Sequence, residues 1–150
     1  MGGLWAGSLR VHRRGRLRRE VERTDAVYEA TKTTPGACET ALEERRAAIR
    51  GLLLRGKVDE GQAVVLERHV DELRRALRLA PLHDELDHLP QGLVRRLERI
   101  LADGHVTKYE HGRVLAELQA DGALSRQQKE KLRSVLDAWR ARDAGAERAQ

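Results

Sequence analysis

The sequence predicts an all-α protein, a bundle of five or six short antiparallel helices built from repeated helical hairpins. Two observations carry this. Aliphatic residues recur at three- and four-residue spacing along most of the chain, and three turns of one form separate the striped stretches. The core has to be aliphatic, because the chain contains no Phe and its aromatics are Trp5, Tyr28, Tyr109 and Trp139.

Residues 1–19 read as an Arg-rich flexible arm. Arg10, Arg13, Arg14, Arg16, Arg18 and Arg19 stand there without an acid, so the arm carries +6 of a net +5 and the rest of the chain −1. Such an arm binds anionic surfaces by charge. Leu4, Trp5, Leu9, Val11 and Leu17 add apolar area, which favours a membrane surface over nucleic acid. The same Gly-rich, then Arg-rich, acid-free composition is that of a cleavable transit peptide, so organelle import stays open.

An N-terminal helical part is expected over residues 20–80. Leu17, Val21 and Val27 support a first helix from Leu17 to Ala30, and TKTTPG breaks it. Ala41, Leu42, Ala48, Ile49, Leu52 and Leu53 stripe a second helix from Ala37 to Arg55. A third, from Asp59 to Leu79, is striped by Val65, Leu66, Val70, Leu73 and Leu77. The acidic segment 81–90, PLHDELDHLP, is bounded by prolines and reads as a linker or short helix. A C-terminal three-helix part follows over 91–142, with helices at Gly92–Asp103, Lys108–Asp121 and Arg126–Arg142, and residues 143–150 form a disordered tail.

The repeated turns read Gly56-Lys-Val58-Asp59, Gly104-His-Val106-Thr107 and Gly122-Ala-Leu124-Ser125. Ten residues after each Gly stands an aliphatic (Leu66, Val114, Leu132), and others stand four and seven residues before it. Each position has a physical role: Gly takes the left-handed conformation that ends one helix, the aliphatic plugs the corner, and Asp, Thr or Ser caps the next helix. The stretch GLVRRLERILADGHVTKYEHGRVLAEL resembles the short helical-hairpin module called SHOCT at Leu97, Gly104, Val106, Thr107 and Glu110. LLLRGKVDEGQAVVLERHVDEL is similar at Leu53, Gly56, Val58 and Asp59. Where that family carries an aromatic, four residues past the cap, this chain has His111 and Ala63. The resemblance implies an accessory module associated with oligomerisation or membrane-linked partners, without a catalytic site.

Function classes narrow accordingly. No apolar run approaches the roughly 20 residues of a membrane span, and the lone Cys38 makes a disulfide framework impossible and a reducing, cytoplasmic compartment the default. No nucleophile elbow, phosphate-binding glycine loop or zinc-protease motif occurs. The one metal candidate is His83, Asp84, Asp87 and His88, which a helical turn would pair at i, i+4; a solvated acidic linker is the commoner meaning of such a run. A non-enzymatic protein without cofactor is therefore expected, an interaction or scaffolding protein whose partner is another protein or a second copy. Trp139, Leu136, Val65 and Leu73 are the candidate interface residues, and Trp139 either closes the bundle or anchors a partner. The alternative is a nucleic-acid binder using the arm and the basic last helix, where Arg126, Lys129, Lys131 and Arg133 follow the turn at Gly122. A metal-dependent enzyme ranks third.

Overall fold

A computed structural model of the chain describes the backbone of residues 2–102 and 105–149, and the side chains of 14–102 and 105–145. Among the described residues there are six α-helices and no strand. They are α1 (Gly2–Thr31), α2 (Pro35–Leu54), α3 (Glu60–Leu79), α4 (Gln91–Ala102), α5 (Lys108–Ala120) and α6 (Arg126–Ala149), with 3-10 turns at Ala80–Leu82 and Leu86–His88. None of these helices is long and apolar enough to cross a membrane. The chain divides into two compact units, residues 1–77 and 78–150, and the division falls inside α3.

In the first unit α1 packs on α2. Cys38, Leu42, Ile49 and Leu52 of α2 meet Val58 and Ala63, Leu66, Val70 and Leu77 of α3, with Leu17, Val21 and Tyr28 of α1 packed against them. The face that α1 turns inward is half polar. Glu20 and Thr24 are buried on it, and Arg45 of α2 satisfies both: its Nη2 donates to Glu20 Oε2 and its Nε to Thr24 Oγ1 at 3.3 Å. A buried carboxylate is tolerable only with such partners. Further polar pairs cross between helices, among them Arg46–Asp71, Arg50–Glu67, Arg74–Glu39 and His69–Asp25.

The hairpin corners explain the repeat. Val58, Val106 and Leu124, the aliphatics between helices, are all buried, as are Leu66, Val114 and Leu132 ten residues past each glycine position. All three caps are reciprocal capping boxes. Asp59 Oδ1 accepts from Gln62 N (2.7 Å) while Gln62 Oε1 accepts from Asp59 N (3.1 Å). Thr107 pairs in the same way with Glu110, and Ser125 with Gln128. The glycines are not equivalent. Gly56 sits at φ +69°, and its N–H donates to Leu53 O while Lys57 N–H donates to Leu52 O, the paired bonds of a Schellman ending. Gly122 corrects the expectation, since its φ is not positive. There Asp121 Oδ1 accepts from Ala123 N at 2.9 Å and Lys129 Nζ donates to Gln119 O at 3.1 Å, so side chains end α5 without left-handed backbone. Gly104 lies outside the described residues.

Three expected boundaries shift. The helix expected from Leu17 begins at Gly2, so Arg14–Arg19 stand on α1 and not on a flexible arm; Leu17 packs against the core and an Arg18–Glu22 pair at i, i+4 spans the expected junction. Segment 81–90 is not a solvated linker, because Leu82 and Leu89 are buried in the second core. The tail expected from residue 143 is helical, since α6 continues to Ala149 and Asp143 is buried.

That second core contains Leu82, Leu89, Leu97, Ile100, Leu101, Val106, Val114, Leu118, Leu124, Leu132, Leu136 and Trp139, and α5 packs on α6. Its edge is ionic. The Asp143 carboxylate accepts from Arg78 Nη1 (2.8 Å), Arg78 Nη2 (2.6 Å) and the Val106 amide (2.6 Å). Arg140 Nη1 donates to Val106 O at 3.0 Å. This bidentate pair ties the end of α3, the corner before α5 and the far end of α6 together.

Candidate functional site

The residues singled out from sequence do not form one site. His83, Asp84, Asp87 and His88 are all exposed; Asp87 and His88 stand on the second 3-10 turn, and His83 and Asp84 in the turn between the two. The backbone here bonds three residues apart, His83 N to Ala80 O, Glu85 N to Leu82 O and His88 N to Glu85 O, so no α-helical turn sets up the i, i+4 pairing that the metal expectation needed. Among the described residues no three His, Cys, Asp or Glu side chains gather to hold a metal ion. His111 is instead bonded to Asp137 at 2.7 Å, and His69 to Asp25 at 2.6 Å.

Of the interface candidates, Trp139 (2% exposed) and Leu136 belong to the second core, which removes them as partner anchors. They fall on one stripe of α6 with Leu132, at spacings of four and three, and that stripe faces inward. Leu73 is half-buried against the first core. Val65 is exposed, as are Val64 and Leu54. Arg14, Arg18 and Arg19 are exposed on α1 and Arg16 is half-buried; Arg19 Nε donates to Gly15 O at 3.2 Å. The side chains of Arg10 and Arg13 lie outside the described residues, as do those of Leu4 and Trp5. On α6 the basic residues are engaged locally: Arg126 with Glu130, Lys131 with Glu85, Arg133 with Asp137, and Lys129 with the end of α5.

A different surface stands out. Between α4 and α5 lies a groove of about 150 Å³ lined by Arg96, Arg99, Ile100, Tyr109, Glu110, Arg113 and Val114. It continues past Tyr109 into an open cleft bordered by Lys108, Gly112 and Arg113. The capping box at Thr107 starts α5 so that Tyr109, Arg113 and Val114 follow on its first turns, and the burial of Leu97 and Ile100 turns α4 so that Arg96 and Arg99 border the groove. The floor is apolar, from Ile100 and Val114. Of the three aromatic side chains described, Tyr109 alone is exposed, at 74%.

The electrostatics of the groove are basic. Glu110 is held by the cap, with Oε1 accepting from Thr107 N (3.1 Å) and Thr107 Oγ1 (2.9 Å). Glu117 pairs with Arg96 and, at 3.8 Å, with Arg113. Arg99 and Lys108 have no ion pair among the described residues. Sequence reasoning missed this surface. Tyr109 and Arg113 share a face at i, i+4, which was legible, but Arg99 arrives from another helix. No protein-family model, curated protein or solved structure matches the chain.

Proposed function

We propose that this chain is a non-catalytic helical interaction module that docks a protein partner on the groove between α4 and α5. The observation that carries the reading is Tyr109, a large aromatic left in solvent over an apolar floor and rimmed by arginines. Tyr and Arg are the residue types that dominate binding energy at protein interfaces. An aromatic of that size is otherwise placed in the core, as Trp139 is. The resemblance to SHOCT hairpins, an oligomerisation-associated module, supports the same class, and a second copy of the chain is one such partner. The exposed arginines of α1 add, within this reading, a contact to an anionic membrane surface.

Nucleic-acid binding fits less well. Arg126, Lys131 and Arg133 of α6 each stand beside a carboxylate and Lys129 beside a helix end, which lowers the net charge of that face, and Glu110 and Glu117 interrupt any basic track along α5.

Site-specific photo-crosslinking in the native cell tests the proposal. A photoreactive residue placed at Tyr109 or Arg113 yields discrete, protease-sensitive adducts that mass spectrometry identifies, whereas the same residue at the exposed Arg68 or Ala47 does not. An adduct at twice the mass of the chain identifies self-association. Nuclease-sensitive adducts, or no difference between groove and control positions, refute it.

A further inference from the structure

The chemistry of the groove defines its occupant more narrowly, and the definition rests on the docking role proposed above. We infer that the groove receives an acidic peptide segment presenting one apolar side chain, the apolar group seated on Ile100 and Val114 and its flanking carboxylates on Arg99 and Arg113.

Size supports the apolar part. The groove is about 150 Å³, the size of cavity that takes a benzene-sized group. One Leu, Ile or Phe side chain is of a size to occupy it. Tyr109 borders both the groove and the wider cleft, so it contacts the anchor and the backbone that carries it.

Charge supports the acidic part. Three arginines line the groove, and its single lining carboxylate, Glu110, already has its Oε1 held by Thr107 N and Oγ1. Arg96 is matched by Glu117. Arg113 reaches the same Glu117 oxygen only at 3.8 Å, and both its guanidinium and that of Arg99 are exposed. Two planar donors with little or no counter-charge beside an apolar floor match carboxylates in bidentate geometry. Lys108 and Tyr109 extend this preference into the open cleft. A nucleic-acid strand would use Tyr109 as a stacking platform, which the oligonucleotide probe below tests.

The test is fluorescence anisotropy of the full chain with short labelled peptides in which a central Leu, Ile, Phe or Trp is flanked by Asp and Glu. The comparison probes are the same peptides with Lys replacing the acids, an acidic peptide with central Ser, and a short poly(dT) oligonucleotide. The acidic peptides with an apolar centre bind, and rising salt weakens them. Arg99→Glu and Arg113→Glu each lower affinity about tenfold or more, and Tyr109→Ala or the Ser-centred peptide lowers it about fivefold or more. Lys129→Glu, on the opposite side of α5, changes it by less than about twofold.

All four positions are exposed or at the surface, and Trp139 fluorescence verifies that each variant stays folded. No binding by any acidic peptide, binding indifferent to Arg99, or equal dependence of poly(dT) binding on Arg99 and Tyr109 overturns the inference. If photo-crosslinks from Tyr109 to protein persist while acidic peptides fail, the partner chemistry is wrong and the docking role stands; if the crosslinks are absent, the docking role itself falls.

Discussion

Replacing Asp143 removes the centre of the second unit's ionic edge. Its carboxylate takes both terminal nitrogens of Arg78 and the Val106 amide, all within 2.6 to 2.8 Å. Arg78 is 3% exposed and Asp143 4%. Asp143→Ala leaves a buried guanidinium without this carboxylate, and breaking such a pair from one side costs about 3–5 kcal/mol. The Val106 amide loses its acceptor as well, a cost of about 1–3 kcal/mol that overlaps with the first. A net loss of about 4 kcal/mol is expected, large against the roughly 5–15 kcal/mol of a whole small domain. Asp143→Asn, which keeps an acceptor and loses the charge, falls between the two. The double replacement Arg78→Met with Asp143→Leu removes both charges and is expected to recover most of the loss. The assay is urea unfolding followed by Trp139 fluorescence in a Trp5→Phe background, so that the indole in the second core is the only reporter. If Asp143→Ala unfolds within about 0.5 kcal/mol of the parent, the pair does not hold the end of α6 and the tail frays as the sequence alone implied.

The glycine turns separate by substitution. Gly56→Ala is expected to cost about 1 kcal/mol or more because of its left-handed backbone. Gly122→Ala, where an added Cβ meets nothing within 4 Å, is neutral or slightly stabilising; urea unfolding followed by far-ultraviolet circular dichroism, which reads the helices of both units, checks the pair, and equal effects would refute the distinction. Thr107→Ala removes one arm of the capping box and costs about 1 kcal/mol, with faster amide exchange confined to the first turn of α5. Exchange unchanged there would mean that the box does not hold that turn. Trp139→Ala, cutting the largest fully buried side chain from the second core, costs about 3–5 kcal/mol. A loss below about 1 kcal/mol would return Trp139 to the surface.

Local chemistry made much of the architecture legible. The helical period placed the inward residues of α2, α4 and α5, and the spacing of Gly, aliphatic and cap placed each hairpin corner. Both depend on residues a few positions apart, where helix geometry alone decides what meets. What remained hidden depended on partners far along the chain. The inward stripe of α6 runs Leu132, Leu136, Trp139 and then Asp143, so a reading by hydrophobicity stops at Trp139; Arg78, 65 residues away, and the Val106 amide make the next position a core position. The inward face of α1 likewise carries Glu20 and Thr24, whose burial is intelligible only once Arg45 lies against them. Segment 81–90 looked like solvated linker because four of its residues are His or Asp, yet Leu82 and Leu89 have a core to enter once α4 and α6 assemble. The groove follows the same rule. Tyr109 and Arg113 were neighbours by sequence, but the apolar floor and Arg99 that turn them into a surface come from α4. The sequence by itself determined helices, corners and caps, because these are short-range steric and hydrogen-bonding events. Tertiary structure decided which charges are buried and which aromatic is left outside, because desolvation depends on what packs alongside.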